Sequence, residues 1–411
     1  MSIFATNRYA LSLSAAAALL AGCGALPLSL SKGQDDTRPP LSSPAAGLAP
    51  QQSLTSRAYN RLHEFGNSAG DGTNPYAGLI VVKGTLYGTT FSGGSNNSGT
   101  VFAVTKTGEE TVLHSFGASG DGSGPAARLL DVNGTLYGTT TVGGANNSGT
   151  VFSITPGGKE KVLYSFPYSG NGGALPFAGL IDVNGTLYGT TYQGGTCRTG
   201  GCGTVFSITT SGTEHLLYSF GKRPNDGEYP QAALLDVGGT LYGTTLQGGK
   251  YRRGTVFTIS TAGKEHVLYS FGASANDGTE PSCTLIYVKG ALYGTTQHGP
   301  GPRSSGTVFS ITKFGRANLV YGFNGSDGSQ PIAGLVDVKG VLYGTTLVGG
   351  VKNVGAVFSV ATSGEEEVLH SFRAQGGKHP YAGLVEAGGT LYGTTYGAVN
   401  GHHGTVFSLT P

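Results

Sequence analysis

Leu86-Tyr87-Gly88-Thr89-Thr90 is the stretch that decides the fold, because it returns intact at Leu136, Leu187, Leu241, Leu292, Leu342 and Leu391. Successive copies lie 49 to 54 residues apart, and a period of that size marks a stacked or radial repeat. Outward from the copy at Leu187, Ala178–Val183 reads as a short apolar strand, and Asn184-Gly185 is a strong hairpin signal. Thr186–Thr191 is a second strand, Gly203–Thr209 a third and Glu214–Phe220 a fourth. Four short antiparallel strands per repeat, with no helical period, predict a β-propeller blade.

The two ends of the repeat region predict how the ring closes. The last repeat supplies three strands, Ala382–Glu386, Leu391–Thr395 and Thr405–Leu409, and lacks the fourth. An unmatched strand of the fourth type stands at Tyr59–Phe65. Pairing the two completes a seventh blade and hides the sheet edges. The predicted fold is therefore an all-β, seven-bladed propeller over 57–411, closed by its N-terminal strand. An open solenoid would leave one orphan element at each end.

Composition adds compartment rather than partner. The chain has 73 Gly, charged residues at 12% and a net charge of +2, which gives no overall polyanion signal. Residues 1–22 combine Arg8 with an Ala/Leu-rich run ending in Leu20-Ala21-Gly22, and read as a secretory signal. With Cys23 next, the ending resembles a bacterial lipobox. Cys23 is expected to be lipidated and to hold the protein on a membrane, with the outer membrane or cell surface as its location. Residues 23–56, rich in Pro, Ser, Ala and Gln, read as a disordered tether. Cys197 and Cys202 flank one short loop, and in an exported protein they are expected to form a disulfide. Cys283 reads as a small buried residue.

The motifs Gly-Thr-Leu-Tyr-Gly-Thr-Thr (Gly84–Thr90) and Gly-Thr-Val-Phe-Ser-Ile-Thr (Gly203–Thr209) resemble the GloVer tandem repeat of bacterial exported proteins. The resemblance covers about 57–411, and Ala356 in place of Thr is one of few departures. It implies a propeller-like domain and a surface location, and transfers no catalytic residue.

Residues present in every repeat read as scaffold. Tyr87 and its counterparts are expected between blades, with Gly88 permitting close approach to the neighbouring blade. Phe102 and its counterparts read as core. The fourth strand has a slot holding His63, His114, Tyr164, Tyr218, Tyr269, Tyr321 and His370. That slot reads as an aromatic body with a polar tip rather than a metal ligand. Asp71-Gly72 and its sisters read as a turn, with Asp bonding the backbone and Gly at positive φ. One carboxylate per loop falls short of a calcium site.

Function is expected where the repeats differ. Propeller connectivity puts the second-to-third and fourth-to-first loops on one face, and binding residues concentrate on such loops. There the later repeats turn basic: Arg198, Lys250, Tyr251, Arg252, Arg253, Arg303 and Lys352, then His402 and His403. This arc suits an anionic partner, and a solvated loop surface is the bland alternative. Arg128 is an anomaly, because its sister positions hold Gly, Ala or Thr. If the first strand lines the central channel, Arg128 places a lone charge there. The chain shows no Gly-x-Ser-x-Gly elbow, His-Glu-x-x-His, P-loop or dinucleotide fingerprint.

The preferred reading is a membrane-anchored lipoprotein, monomeric, whose propeller binds an acidic glycan, envelope polymer or another surface protein. No cofactor, metal or nucleic acid is implied. A polysaccharide lyase or hydrolase on the same scaffold is the alternative, with Arg128, His298 or His402 in its cluster, and a structural surface protein is the third reading.

Overall fold

The computed structural model describes residues 57–167, 171–197, 200–300, 305–373, 376–397 and 403–411. Cys23, Arg198, Arg303 and His402 lie outside them. Arg57–Pro411 form one compact unit. Its strands form seven four-stranded antiparallel sheets, with no α-helix among the described residues. Six blades are contiguous: Ile80–Ser115, Leu130–Ser165, Ile181–Ser219, Leu235–Ser270, Ile286–Gly322 and Val336–Ser371. The seventh is composite. Val385–Ala387, Thr390–Thr395 and Thr405–Leu409 receive Tyr59–Glu64 as outer strand, with Tyr59 opposite Leu409 and Glu64 opposite Thr405. The predicted closure is therefore observed.

The tight turns behave as their sequence demands. Asn184 and Gly185 take φ of 53° and 82°, which matches the strand twist across a two-residue hairpin. On the opposite face, Gly72–Thr73 pairs with Ser92–Gly93, tying the loop that enters a blade to the loop between its second and third strands. The same tie recurs in the other blades as short ribbons or single bridges.

The core lies between blades. Tyr87 packs with Phe116, Leu129, Leu136 and Phe152 of the first and second blades. Phe65, Leu79, Phe102, Tyr392 and Val406 fill the interface where the ring closes. The Tyr and Phe of each repeat are thus scaffold, as their recurrence implied. Gly88 serves a different neighbour from the one expected. A Cβ there would sit 2.5 Å from Phe102 Cζ, on the third strand of its own blade.

The Thr-Thr pair divides its work. The first Thr bonds across blades: Thr89, Thr139, Thr190, Thr244, Thr295 and Thr345 each donate to a backbone carbonyl of the next blade at 2.9–3.4 Å. The second Thr bonds within its blade, as between Thr90 and Thr100 hydroxyls at 2.8 Å. Where Ala356 replaces the partner, the hydroxyl pair is lost and only the backbone N–H bond to Thr346 remains, the bond that Thr100 N–H also makes to Thr90.

The Asp-Gly turn also differs from expectation. Asp71 accepts from the N–H of Gly66 and Asn67, ahead of it in the chain. Gly72, Gly122, Gly227 and Gly278 are not at positive φ, and among these turns only Gly328 is, at 143°; in the first, Asn74 takes φ of 60° instead. Glycine is required at 72 because a Cβ would meet Thr90 at 2.4 Å.

Candidate functional site

First strands of neighbouring blades lie side by side around the axis and enclose a cavity of about 660 Å³. Each first strand pairs only on its outer side, so its inner edge turns unpaired N–H and C=O groups to the cavity. The segment entering each first strand sets two rings of side chains at the loop-side mouth.

The outer ring follows the Pro of each repeat and holds Tyr76, Ala126, Phe177, Gln231, Ser282, Ile332 and Tyr381. Its aromatic members are not isolated. Tyr76 meets Phe91, Tyr381 and Tyr396 with ring centroids 4.7–5.1 Å apart. Phe177 meets Tyr192, which meets Tyr229. Burial first, then the neighbouring Tyr396 hydroxyl through charge repulsion, pushes the Tyr76 phenol well above its ordinary range. Sequence reading missed this shelf. The signal was available in Pro75-Tyr76, Pro176-Phe177 and Pro380-Tyr381 together with the residue after each Thr-Thr pair.

Two residues deeper, the second ring holds Gly78, Arg128, Gly179, Ala233, Thr284, Gly334 and Gly383. The ring is tight: a Cβ on Gly179 would lie 2.9 Å from the Arg128 carbonyl, and one on Gly383 2.8 Å from that of Gly334. Arg128 is the ring's one charge. Its side chain runs over the space left by Gly78, with Cδ 3.8 Å from where a Cβ would stand. Water reaches it within the channel, yet the enclosing walls desolvate the guanidinium enough to lower its pKa. No described carboxylate pairs with it. The channel carboxylates Asp131 and Glu386 belong to the hairpin-turn end, where they accept from the N–H of Gly134 and Gly389.

The other predicted positions are scattered over separate blades. Lys250, Tyr251, Arg252 and Arg253 occupy one exposed turn of the fourth blade, with Lys250 Nζ 5.3 Å from the Tyr251 ring. Lys352 is exposed in the corresponding loop of the sixth blade, and His403 is exposed just before the last strand. Arg223, on the same face, pairs with Glu265 and also donates to Tyr218. His298 pairs with Glu280 at 3.5 Å. Cys197 and Cys202 form the expected disulfide, Cα atoms 5.9 Å apart, which is consistent with an exported protein. Cys283 is a buried free thiol.

A second set of titratable groups lies between blades. The polar tip of the fourth-strand slot meets the Asp of its own loop, as Tyr218 does Asp226 at 2.8 Å and Tyr321 does Asp327 at 2.6 Å. The next blade adds a Glu at the start of its outer strand: Glu110, Glu160, Glu265 or Glu366, each pushed up to about 7, first by burial and next by the neighbouring Asp. These cross-blade partners could not be read from loops counted one at a time.

The chain resembles solved propellers in architecture. Puromycin hydrolase superposes with a TM-score of 0.51 at 12% identity, over 82% of this chain and 52% of that one, so the chain spans about half the length of that enzyme. A putative 6-phosphogluconolactonase from Bacteroides uniformis gives 0.50 at 17% identity, covering 78% of this chain and 89% of that one. Likeness at these identities shows the fold alone. No curated protein matches the chain. The Gloeobacter/Verrucomicrobia repeat matches residues 46–202 and 197–407. The chain therefore belongs to the Gloeobacter/Verrucomicrobia repeat family.

Proposed function

We propose that the propeller is a binding module that takes an anionic glycan or envelope polymer at the loop-side mouth of its channel. In this reading residues 1–22 are removed, Cys23 carries the lipid anchor, and 23–56 hold the propeller away from the membrane. Arg128 carries the proposal: it is a cation on the channel wall, open to the channel water, with no carboxylate partner among the described residues, set below an aromatic shelf. A carboxylate or sulfate on the ligand would complete it by a charge-assisted hydrogen bond. Tyr76, Phe177 and Tyr381 offer ring faces and edges to sugar rings, and the free strand edges offer donors and acceptors to hydroxyls. Lys250, Arg252 and Arg253 on the rim of the same face would draw a longer polyanion in. Engagement of Asp131 and Glu386 in distant turns favours binding over acid–base catalysis, which needs a matched pair within hydrogen-bond reach.

The test is titration of the full chain with oligogalacturonate, against a neutral oligosaccharide of equal length, at low and high salt. Arg128→Gly, which installs the residue of four sister blades, should fold normally and lose at least about ten-fold in affinity. Arg252→Ser with Arg253→Ser should mainly flatten the salt dependence. Acid-selective binding that survives Arg128→Gly would move the site off the channel, and no acid-selective binding would reject the reading.

A further inference from the structure

Three buried polar atoms lack a hydrogen bond at one place, the interface where the ring closes: His63 Nε2, Asp71 Oδ1 and Glu110 Oε1. His63 lies on the ring-closing strand, Asp71 in the loop that follows, and Glu110 opens the outer strand of the first blade. The ligand-type atoms of these three residues all lie within 4.8 Å of one another. The Asp71 side chain is 4% exposed. Its Oδ2 is engaged by the N–H of Gly66 at 2.7 Å and of Asn67 at 3.3 Å, which leaves Oδ1 with nothing to bond. His63 Nε2 is 3.9 Å from Asp71 Oδ2, too far for a hydrogen bond.

We propose that His63, Asp71 and Glu110 bind a divalent transition-metal ion of the zinc class. One imidazole nitrogen and two carboxylate oxygens suit that class, whereas calcium and magnesium take oxygen ligands. Three protein ligands leave a fourth position for water. The ion would join the ring-closing strand to the first blade.

The neighbouring interface brings His114, Asp121 and Glu160 equally close, and Glu160 Oε1 is likewise unpaired, but there the histidine and aspartate are already engaged. His114 Nε2 is 3.0 Å from Asp121 Oδ2, and Asp121 Oδ1 accepts from Gly122 N–H, so that imidazole and carboxylate satisfy each other. In later blades a Tyr hydroxyl bonds the Asp directly. Tyr is therefore a residue this slot accepts, and His63→Tyr is a variant that should fold.

The test uses the full chain in detergent, stripped of metal with a chelator and titrated with zinc alone. Equilibrium dialysis should find one tight equivalent, and zinc should raise the unfolding temperature. Cobalt in its place should give the visible bands of a four-coordinate site. His63→Tyr and Glu110→Gln should each lose the equivalent and the thermal shift, while His114→Tyr keeps both. No bound equivalent in the parent chain, its survival in His63→Tyr, or its loss in His114→Tyr would overturn the proposal.

Discussion

Thr394 donates its hydroxyl to the carbonyl of Ala77 at 3.2 Å, across 317 positions of sequence. It is the seventh member of the ring of blade-to-blade threonine bonds, and the one that joins the last blade to the first. Thr394 has no exposed surface, so its loss leaves a buried carbonyl without that donor. Thr394→Val should lower stability by about 1–3 kcal/mol, read as an earlier urea midpoint at unchanged slope. Thr89→Val, whose bond is 3.4 Å long, should have the smaller effect. Equal effects would mean that the closing bond has no special weight.

Gly88 and its six sisters lie under a phenylalanine ring, each with a Cβ position only 2.5–2.7 Å from Phe Cζ. Gly88→Ala should therefore destabilise by about 1–3 kcal/mol through overpacking. Phe102→Leu in the same chain should return part of that loss. A double-mutant cycle in denaturant measures the coupling, and strict additivity would remove the steric explanation.

The inter-blade acids set a pH dependence. Burial, then Asp327, raises Glu366 from its ordinary 4.5 to about 7. The folded state thus holds that proton more tightly, so its stabilising contribution is full below 4.5 and is lost as pH rises through about 7. Burial lowers His370 from 6.5 to about 4, so its contribution is full above 6.5 and is lost as pH falls through about 4. The four raised glutamates outnumber the lowered histidine, so thermal stability should peak at about pH 4–5 and decline toward neutral pH. Glu366→Gln should flatten the alkaline limb, and His370→Tyr the acid limb. A melting curve that both variants leave unchanged would locate the titrating groups elsewhere.

The architecture was legible because its cause is local. Pairing partners within a blade are close in sequence, and an Asn184-Gly185 turn fixes a hairpin whatever surrounds it. Even the closure could be read, since one strand type was missing at the end and present at the start. The errors came where one residue answers to another blade or strand. Gly88 is explained by Phe102 opposite it, and Gly72 by Thr90, contacts that need the register of the sheet. The candidate site was half legible. Arg128 stood out against its sisters, but the aromatic shelf joins rings from different blades, as Tyr76 meets Tyr381 and Tyr396 across the ring closure. His63 was dismissed by comparison with the other slots; its significance lies in Glu110, which a single repeat does not contain.

Closure by Tyr59–Glu64 also imposes an order of assembly. Six blades are each made from one run of chain and can form as their own hairpins meet. The seventh waits for Tyr59–Glu64 to find Thr405–Leu409, with Tyr59 opposite Leu409, a contact of very high sequence separation. Until then two sheet edges stand open, and such edges pair readily with other molecules. A chain halted before Thr405 would keep those edges, so the propeller can conceal its own adhesive surfaces only once Thr405–Leu409 have been made.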